Sequence, residues 1–571
     1  MNRRLFCTGS ASVAILTAAA SISGCRGRPG DLQLLGNYGG RDFPLIIDTH
    51  VHTFNGSDLQ VSKFISKVAV NEVDSSAVRF IARVFGPILE FIVWNLSPSA
   101  TKESDLLDRY IAEQIAQIQF DQTRTRNQED QYQIAKRELE RATIEAIETT
   151  GDSVERLREP IESLSEEEQA LSSLLNMPDT YEELFVRSPE EAGLSDHVQK
   201  LRAAQRFLVE MFQYRHVSTI RYFKTYSSDH FAVDLATPCL VDYDWWLDDG
   251  NPTASRIPSQ IEVNEKIAAL SHGRVHPFAP FDPFRQVLWD KHGIGGFSPI
   301  ETVKDAIENR GYLGVKLYPP MGFGVFGNAT ISHGDRSVWD GKKLHPVSQD
   351  SQFAKNLDNA LDQLYEYCER NGVAVMAHSN PSNLSDKDFA PLLDIEHWQT
   401  LYDKYAVSGS FGHFNGLGNG DDENRWKEFV NLLNDDSGAN QRFADASYFR
   451  NVLHRQEDLI TVLRQVLFKP DGNPSPVMEK LMFGSDWKML LMEVDSSAYL
   501  ASMIDILNRA DQQLIEAGFD RNLVKDVLGH NAIEFLGLRR GKPARERLAA
   551  FYEKYQIEDP LWMRKVDEQD S

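Results

Sequence analysis

Two histidines, His50 and His52, close the apolar run Leu45-Ile46-Ile47-Asp48-Thr49. If that run is a strand, the i, i+2 spacing sends both imidazoles out of one face. Neutral imidazole is the commonest side-chain ligand for zinc-like ions, so such a pair is half of a metal site. By itself the pair is better read as two solvated loop histidines. Three later runs change that reading because they end in the same way. Val373-Ala374-Val375-Met376-Ala377 leads to His378, Ser408-Gly409-Ser410-Phe411-Gly412 to His413, and Leu481-Met482-Phe483-Gly484-Ser485 to Asp486. A lone His at a strand end is ordinarily structural and a lone Asp ordinarily a helix cap. Four such endings in one chain call for side chains that converge.

Convergence requires strands whose C-terminal ends lie on one side. From Ala236 the sequence alternates short apolar runs with helical stretches, the pattern of a parallel sheet. The predicted strands are Leu45–Thr49, Ala236–Asp242, Arg274–Pro280, Leu313–Tyr318, Val373–His378, Val407–His413, Phe443–Ser447 and Leu481–Ser485. Helical stretches include Ser259–Leu270, Pro299–Asn309, Asp350–Arg370 and Glu457–Leu467. Eight β/α units predict an α/β fold of the (β/α)8 TIM-barrel type, with its chemistry at the strand C-termini. Residues 101–212 are rich in Glu, Gln, Arg and Ala without a sustained heptad, which predicts an antiparallel helical insertion between strands one and two. Before it, 45–100 holds the first strand and an apolar segment. The stretch Val78–Leu96 is broken by Arg79, Arg83, Pro87 and Glu90, which disfavours a spanning helix and favours core packing. After it, 213–545 holds the remaining barrel units, and 546–571 reads as a C-terminal tail.

With 571 residues the chain can bury a large core, and 42% hydrophobic with 25% charged residues is ordinary for a globular protein. A net charge of −24 argues against a nucleic-acid partner and says nothing of substrate charge; the small-molecule substrate expected here rests on the converging side chains. Residues 1–25 have the layout of a bacterial export signal: Arg3 and Arg4, a short apolar stretch from Ala11 to Ile22, then Ile22-Ser23-Gly24-Cys25. That tetrad resembles a lipobox, with Cys25 the lipidated residue, and Arg3-Arg4-Leu5-Phe6 loosely resembles a twin-arginine signal. The expectation is an exported protein of the cell envelope that meets the membrane through its lipid anchor alone. A Gly-rich tether, residues 26–44, follows. Cys239 and Cys368 sit in apolar contexts and read as buried thiols rather than a disulfide.

The ordered motifs resemble the amidohydrolase superfamily, in its amidohydrolase-2 branch of aminocarboxymuconate-semialdehyde decarboxylase relatives. They are Ile47-Asp48-Thr49-His50-Val51-His52, Gly314-Val315-Lys316-Leu317-Tyr318-Pro319, Ala377-His378, Gly412-His413 and Phe483-Gly484-Ser485-Asp486-Trp487. Leu528-Gly529-His530-Asn531-Ala532-Ile533-Glu534-Phe535-Leu536-Gly537-Leu538 resembles the branch's closing helix. The likeness covers residues 45–54 and about 236–540. It implies one divalent metal, usually zinc, held by His50, His52, His378 and Asp486, which activates water and polarises a carbonyl. It implies that Asp486 doubles as the proton acceptor and that His413 is the acid/base or oxyanion-stabilising partner. Lys316 matches a position carbamylated between two metals in some relatives. In this branch one metal is the rule, and Lys316 reads as a substrate or structural contact, with Tyr318 walling the pocket. Two departures reshape the pocket: His413-Phe414-Asn415-Gly416 where the branch has His-x-Gly-Gly, and Trp487-Lys488 where a Pro closely follows the Asp.

The first functional expectation is therefore a metal-dependent hydrolase of a carboxylic ester, lactone or amide. The second is a non-oxidative decarboxylase of an aromatic or unsaturated acid, whose carboxylate would need Lys316, Lys488 or Arg221. A lipid-anchored scaffold on an inactive barrel ranks third.

Overall fold

The computed structural model describes residues 28–35, 43–64, 94–115, 128–150, 154, 156–158, 164–185, 195–334, 337–417, 425–435, 441–469, 473–516, 518 and 522–568. The export signal with Cys25 and most of the apolar segment Val78–Leu96 lie outside these residues.

Eight short strands form: β1 (Ile47–Val51), β2 (Leu235–Pro238), β3 (Phe278–Pro280), β4 (Gly314–Leu317), β5 (Ala374–His378), β6 (Gly409–Gly412), β7 (Arg442–Asp445) and β8 (Leu481–Met482). Each falls on or against a predicted run, and all are fully buried, as strands covered on both faces must be. All pairings are parallel: β1 with β2 in one sheet, and β3 through β8 in sequence order in another. The protein is thus a mixed α/β molecule of parallel sheets, and the two sheets are not closed into one. Isolated parallel bridges cross both seams, Ala236 to Val275 and Cys239 to Phe278 on one side, Val51 to Trp487 on the other.

Helices separate the strands, among them Ile257–Leu270, Pro299–Asn309, Phe353–Asn371, Ile395–Lys404, Arg425–Asn434 and Gln456–Leu467. Their starts follow local chemistry. Asp282 accepts from the Phe284 and Arg285 amides, with Pro283 supplying a first-turn residue that needs no donor. Alternate strand residues feed two cores. Val375 and Ala377 join the larger one, while Ala374 and Met376 meet Phe535, Leu548, Phe551 and Trp562. Two helices beyond the last strand, Pro543–Tyr555 and Leu561–Glu568, span most of the segment expected as a tail. Cys239 and Cys368 are buried free thiols, as their contexts predicted.

Between β1 and β2 the longer described helices are Ala100–Ile115, Gln128–Thr150, Glu166–Leu175, Asp196–Glu210 and Arg215–Thr225, with 3-10 turns at Arg156–Arg158 and Glu183–Phe185. The middle three, with the turns beside them, build a separate apolar cluster that includes Tyr132, Leu139, Leu171, Tyr181 and Phe212, reached from the first strand's loop by Leu59 and Val61, while Ala100–Ile115 and Arg215–Thr225 pack into the main core. Buried Arg215 fastens this region to that loop. It pairs with Asp58 and Glu103, and His216 shares Glu103 at 2.7 Å. Among the described residues no helix is long and apolar enough to cross a membrane.

Candidate metal centre

Because every strand is parallel, their C-terminal ends present one set of side chains. His50 stands in β1, His52 just beyond it, His378 ends β5, His413 follows β6, and Asp486 lies four residues past β8. All five are buried. Asp486 is drawn in by backbone bonds from the β8 loop to β1: Thr49 N to Phe483 O at 3.1 Å, Asp486 N to His50 O at 2.7 Å and His52 N to Trp487 O at 3.1 Å. Asp48 fastens the same junction, accepting from Ser485 N at 3.0 Å, His50 N at 3.2 Å and the Tyr222 hydroxyl at 2.8 Å. Burial pushes its carboxyl up to about 7.

Nitrogen and oxygen atoms of His50, His52 and Asp486 lie within 4.8 Å of one another, a set able to hold a metal ion. Their hydrogen bonds decide which ring nitrogen is free. His52 Nδ1 is 2.9 Å from the Cys239 carbonyl, an acceptor, so Nδ1 carries the proton and Nε2 the lone pair. That Nε2 faces Asp486 Oδ1 at 3.2 Å, and the buried Oδ1 has no hydrogen bond. A lone pair set against a carboxylate oxygen calls for a cation or a proton between them. His378 adds a second orphan, Nδ1, buried and without a hydrogen bond, while its Nε2 meets Ser382 Oγ at 3.0 Å. A site of two orphaned atoms, imidazoles and a carboxylate fits a divalent ion. His378 is not in the 4.8 Å set; its ring packs 4.4 Å from that of His413 and 4.7 Å from that of Tyr318.

The charge states suit ligation, which needs unprotonated imidazole and ionised carboxylate. Burial, reinforced by Lys316, pushes His50 down to about 3, and burial likewise lowers His378 and His413. Burial raises the Asp486 carboxyl, but the close His52 ring and the fields of His413 and His50 outweigh it and hold it below the usual range.

Lys316 Nζ lies 2.8 Å from His50 Nε2, so it reaches the centre itself. The other two cations proposed for a substrate carboxylate are occupied elsewhere. Lys488 donates to the Phe54 and Glu210 carbonyls, and Arg221 pairs with Glu182 while its guanidinium lies over Tyr181 and Phe185. Tyr318 lines a cavity together with Phe54, Leu59, Phe64, Tyr243 and Met489 beside His52, His378, His413 and Asp486. The departure after His413 has a structural counterpart. His413, Phe414 and Asn415 hold φ of 63°, 40° and 48°, and Asp486 and Lys488 hold 57° and 76°. These are left-handed values at residues other than glycine.

Two residues that sequence reasoning missed sit at the end of β7. Asp445 lies 3.3 Å from His50 Nδ1 and accepts from His413 N at 3.0 Å, and Ser447 Oγ is 2.9 Å from Nδ1 of both histidines. The available signal was positional, since Phe443–Ser447 was a predicted strand and its end carries this Asp and Ser. No family model, curated protein or solved structure matches this chain.

Proposed function

We propose that this protein is a metal-dependent hydrolase of the amidohydrolase type, its eight parallel strands forming a (β/α)8 barrel with the helical insertion on the catalytic face. The observation that carries the reading is the His52 Nε2 lone pair set 3.2 Å from Asp486 Oδ1, with His50 in the same cluster. The bridges across both sheet seams support the barrel. His50, His52 and Asp486, with His378 beside them, would hold one divalent ion, zinc being the one this ligand set favours. When bound, such an ion supplies Lewis acidity toward a substrate carbonyl and makes water a stronger acid.

The chain's own residues do the rest. Asp486 takes the proton of the attacking water on its carboxylate, and His413 picks that proton up on Nε2 and relays it to the departing oxygen or nitrogen. The reaction yields a carboxylic acid and an alcohol or amine. The aromatic and apolar walls orient the acyl group and thin out competing water. Metal analysis tests the reading first: wild type should hold about one zinc per chain and His50→Ala almost none, and a wild type without metal would sink it. With metal in hand, acid release without CO2 marks the hydrolase, whereas CO2 release would transfer the site to decarboxylation with Lys316 as the carboxylate's cation. We also propose that the chain is exported and anchored through Cys25.

A further inference from the structure

His50 has two sides: one belongs to the metal set, and the other to a second close set with His413 and Asp445. That second set is already knit by hydrogen bonds around Ser447, and proton counting shows what they impose. Asp445 faces donors throughout, namely His413 N at 3.0 Å, Ser447 N at 3.2 Å and the Ser447 hydroxyl. It therefore acts as an ionised acceptor and takes the one hydroxyl proton that Ser447 can give. Ser447 Oγ is left with lone pairs, and His50 Nδ1 and His413 Nδ1 each lie 2.9 Å from it. Both rings must then present N–H there. Two further contacts agree. The Lys316 ammonium, which can only donate, lies 2.8 Å from His50 Nε2, and the Ser447 carbonyl, which can only accept, lies 3.1 Å from His413 Nδ1.

We propose that Ser447, locked by Asp445, is a shared positioning residue that fixes the proton on Nδ1 of both His50 and His413. It thereby turns both Nε2 lone pairs toward the centre. This rests on the functional reading for the roles of the two histidines, though not for their tautomers. A single hydroxyl then sets metal affinity at one ring and proton transfer at the other. Outer partners of ligating histidines are typically worth about 10–100-fold in metal affinity.

The experiment uses the full chain with 15N-labelled histidine, first metal-free and then titrated with zinc alone. Spectra of His50→Gln and His413→Gln assign the two rings. In metal-free wild type both rings should show a protonated Nδ1 and a bare Nε2, and a proton on Nε2 of either ring would overturn the proposal. Ser447→Ala should weaken zinc binding about 10–100-fold, Asp445→Asn should do the same, and Ser447→Thr, which keeps the hydroxyl, should restore most of it. Undiminished zinc affinity in Ser447→Ala would also overturn it. If wild type binds no zinc, the functional reading fails, while the ring protons are still decided by the metal-free spectra.

Discussion

Gly484 shows how little room the centre leaves for a change of one carbon. A Cβ there would stand 2.9 Å from that of Ser447 and 3.0 Å from that of His50, closer than packed carbons sit. Gly484→Ala should therefore push the two residues apart. We expect a loss of about 1–3 kcal/mol in the metal-free protein and weaker zinc binding, measured by urea unfolding and by zinc titration. Unchanged values in both would mean that the backbone yields without moving the site. At this scale the buried cluster was legible because His50, His52, His378, His413 and Asp486 each follow an apolar run. Asp445 and Ser447 were not, since Ala-Asp-Ala-Ser is an unremarked strand end until folding sets it against a histidine 395 positions away. The partners of Lys488 were hidden for a related reason. Its backbone is left-handed and its Nζ donates to the Phe54 and Glu210 carbonyls, far away in sequence.

Strands were the most legible elements, because burial on both faces leaves nearly unbroken apolar runs of the right length. The insertion was legible as helical, whereas the buried ion pairs that tie it to the first loop depend on long-range partners such as Arg215 with Asp58. The C-terminal helices, too, announce their role only through what they meet. His276, just before β3, holds the Gly311 carbonyl at 2.7 Å and the Tyr552 hydroxyl at 2.7 Å. Burial pushes its pKa down to about 4. Between pH 6.5 and 4 the unfolded chain accepts a proton that the folded one refuses, so stability falls as pH falls through that window. The contribution is on the order of 3 kcal/mol. Denaturant unfolding at pH 7 and pH 4.5 should show a smaller pH dependence in His276→Gln than in wild type; equal slopes would exclude His276 as the source.

For the whole molecule, a ligand that binds only the folded chain stabilises it by mass action. Zinc at a thousandfold excess over its dissociation constant should add about 4 kcal/mol. Calorimetry should then show a melting temperature that rises with zinc and falls in EDTA, and a chelator-insensitive melt would count against the site. The anchor is tested separately: Cys25→Ala should move the protein from the detergent phase to the aqueous phase, and unchanged partitioning refutes lipidation. A last consequence concerns the left-handed residues at 413–415, 486 and 488. Each such conformation costs an L-residue about 1–2 kcal/mol, and five of the ten non-glycine residues that hold one among the described residues lie at the candidate site. Glycine at these positions would relieve that cost, and at His413 and Asp486 it would delete the chemistry outright. Laboratory evolution for heat tolerance alone should therefore find easy gains at this end of the strands and yield hardier descendants with an emptied centre.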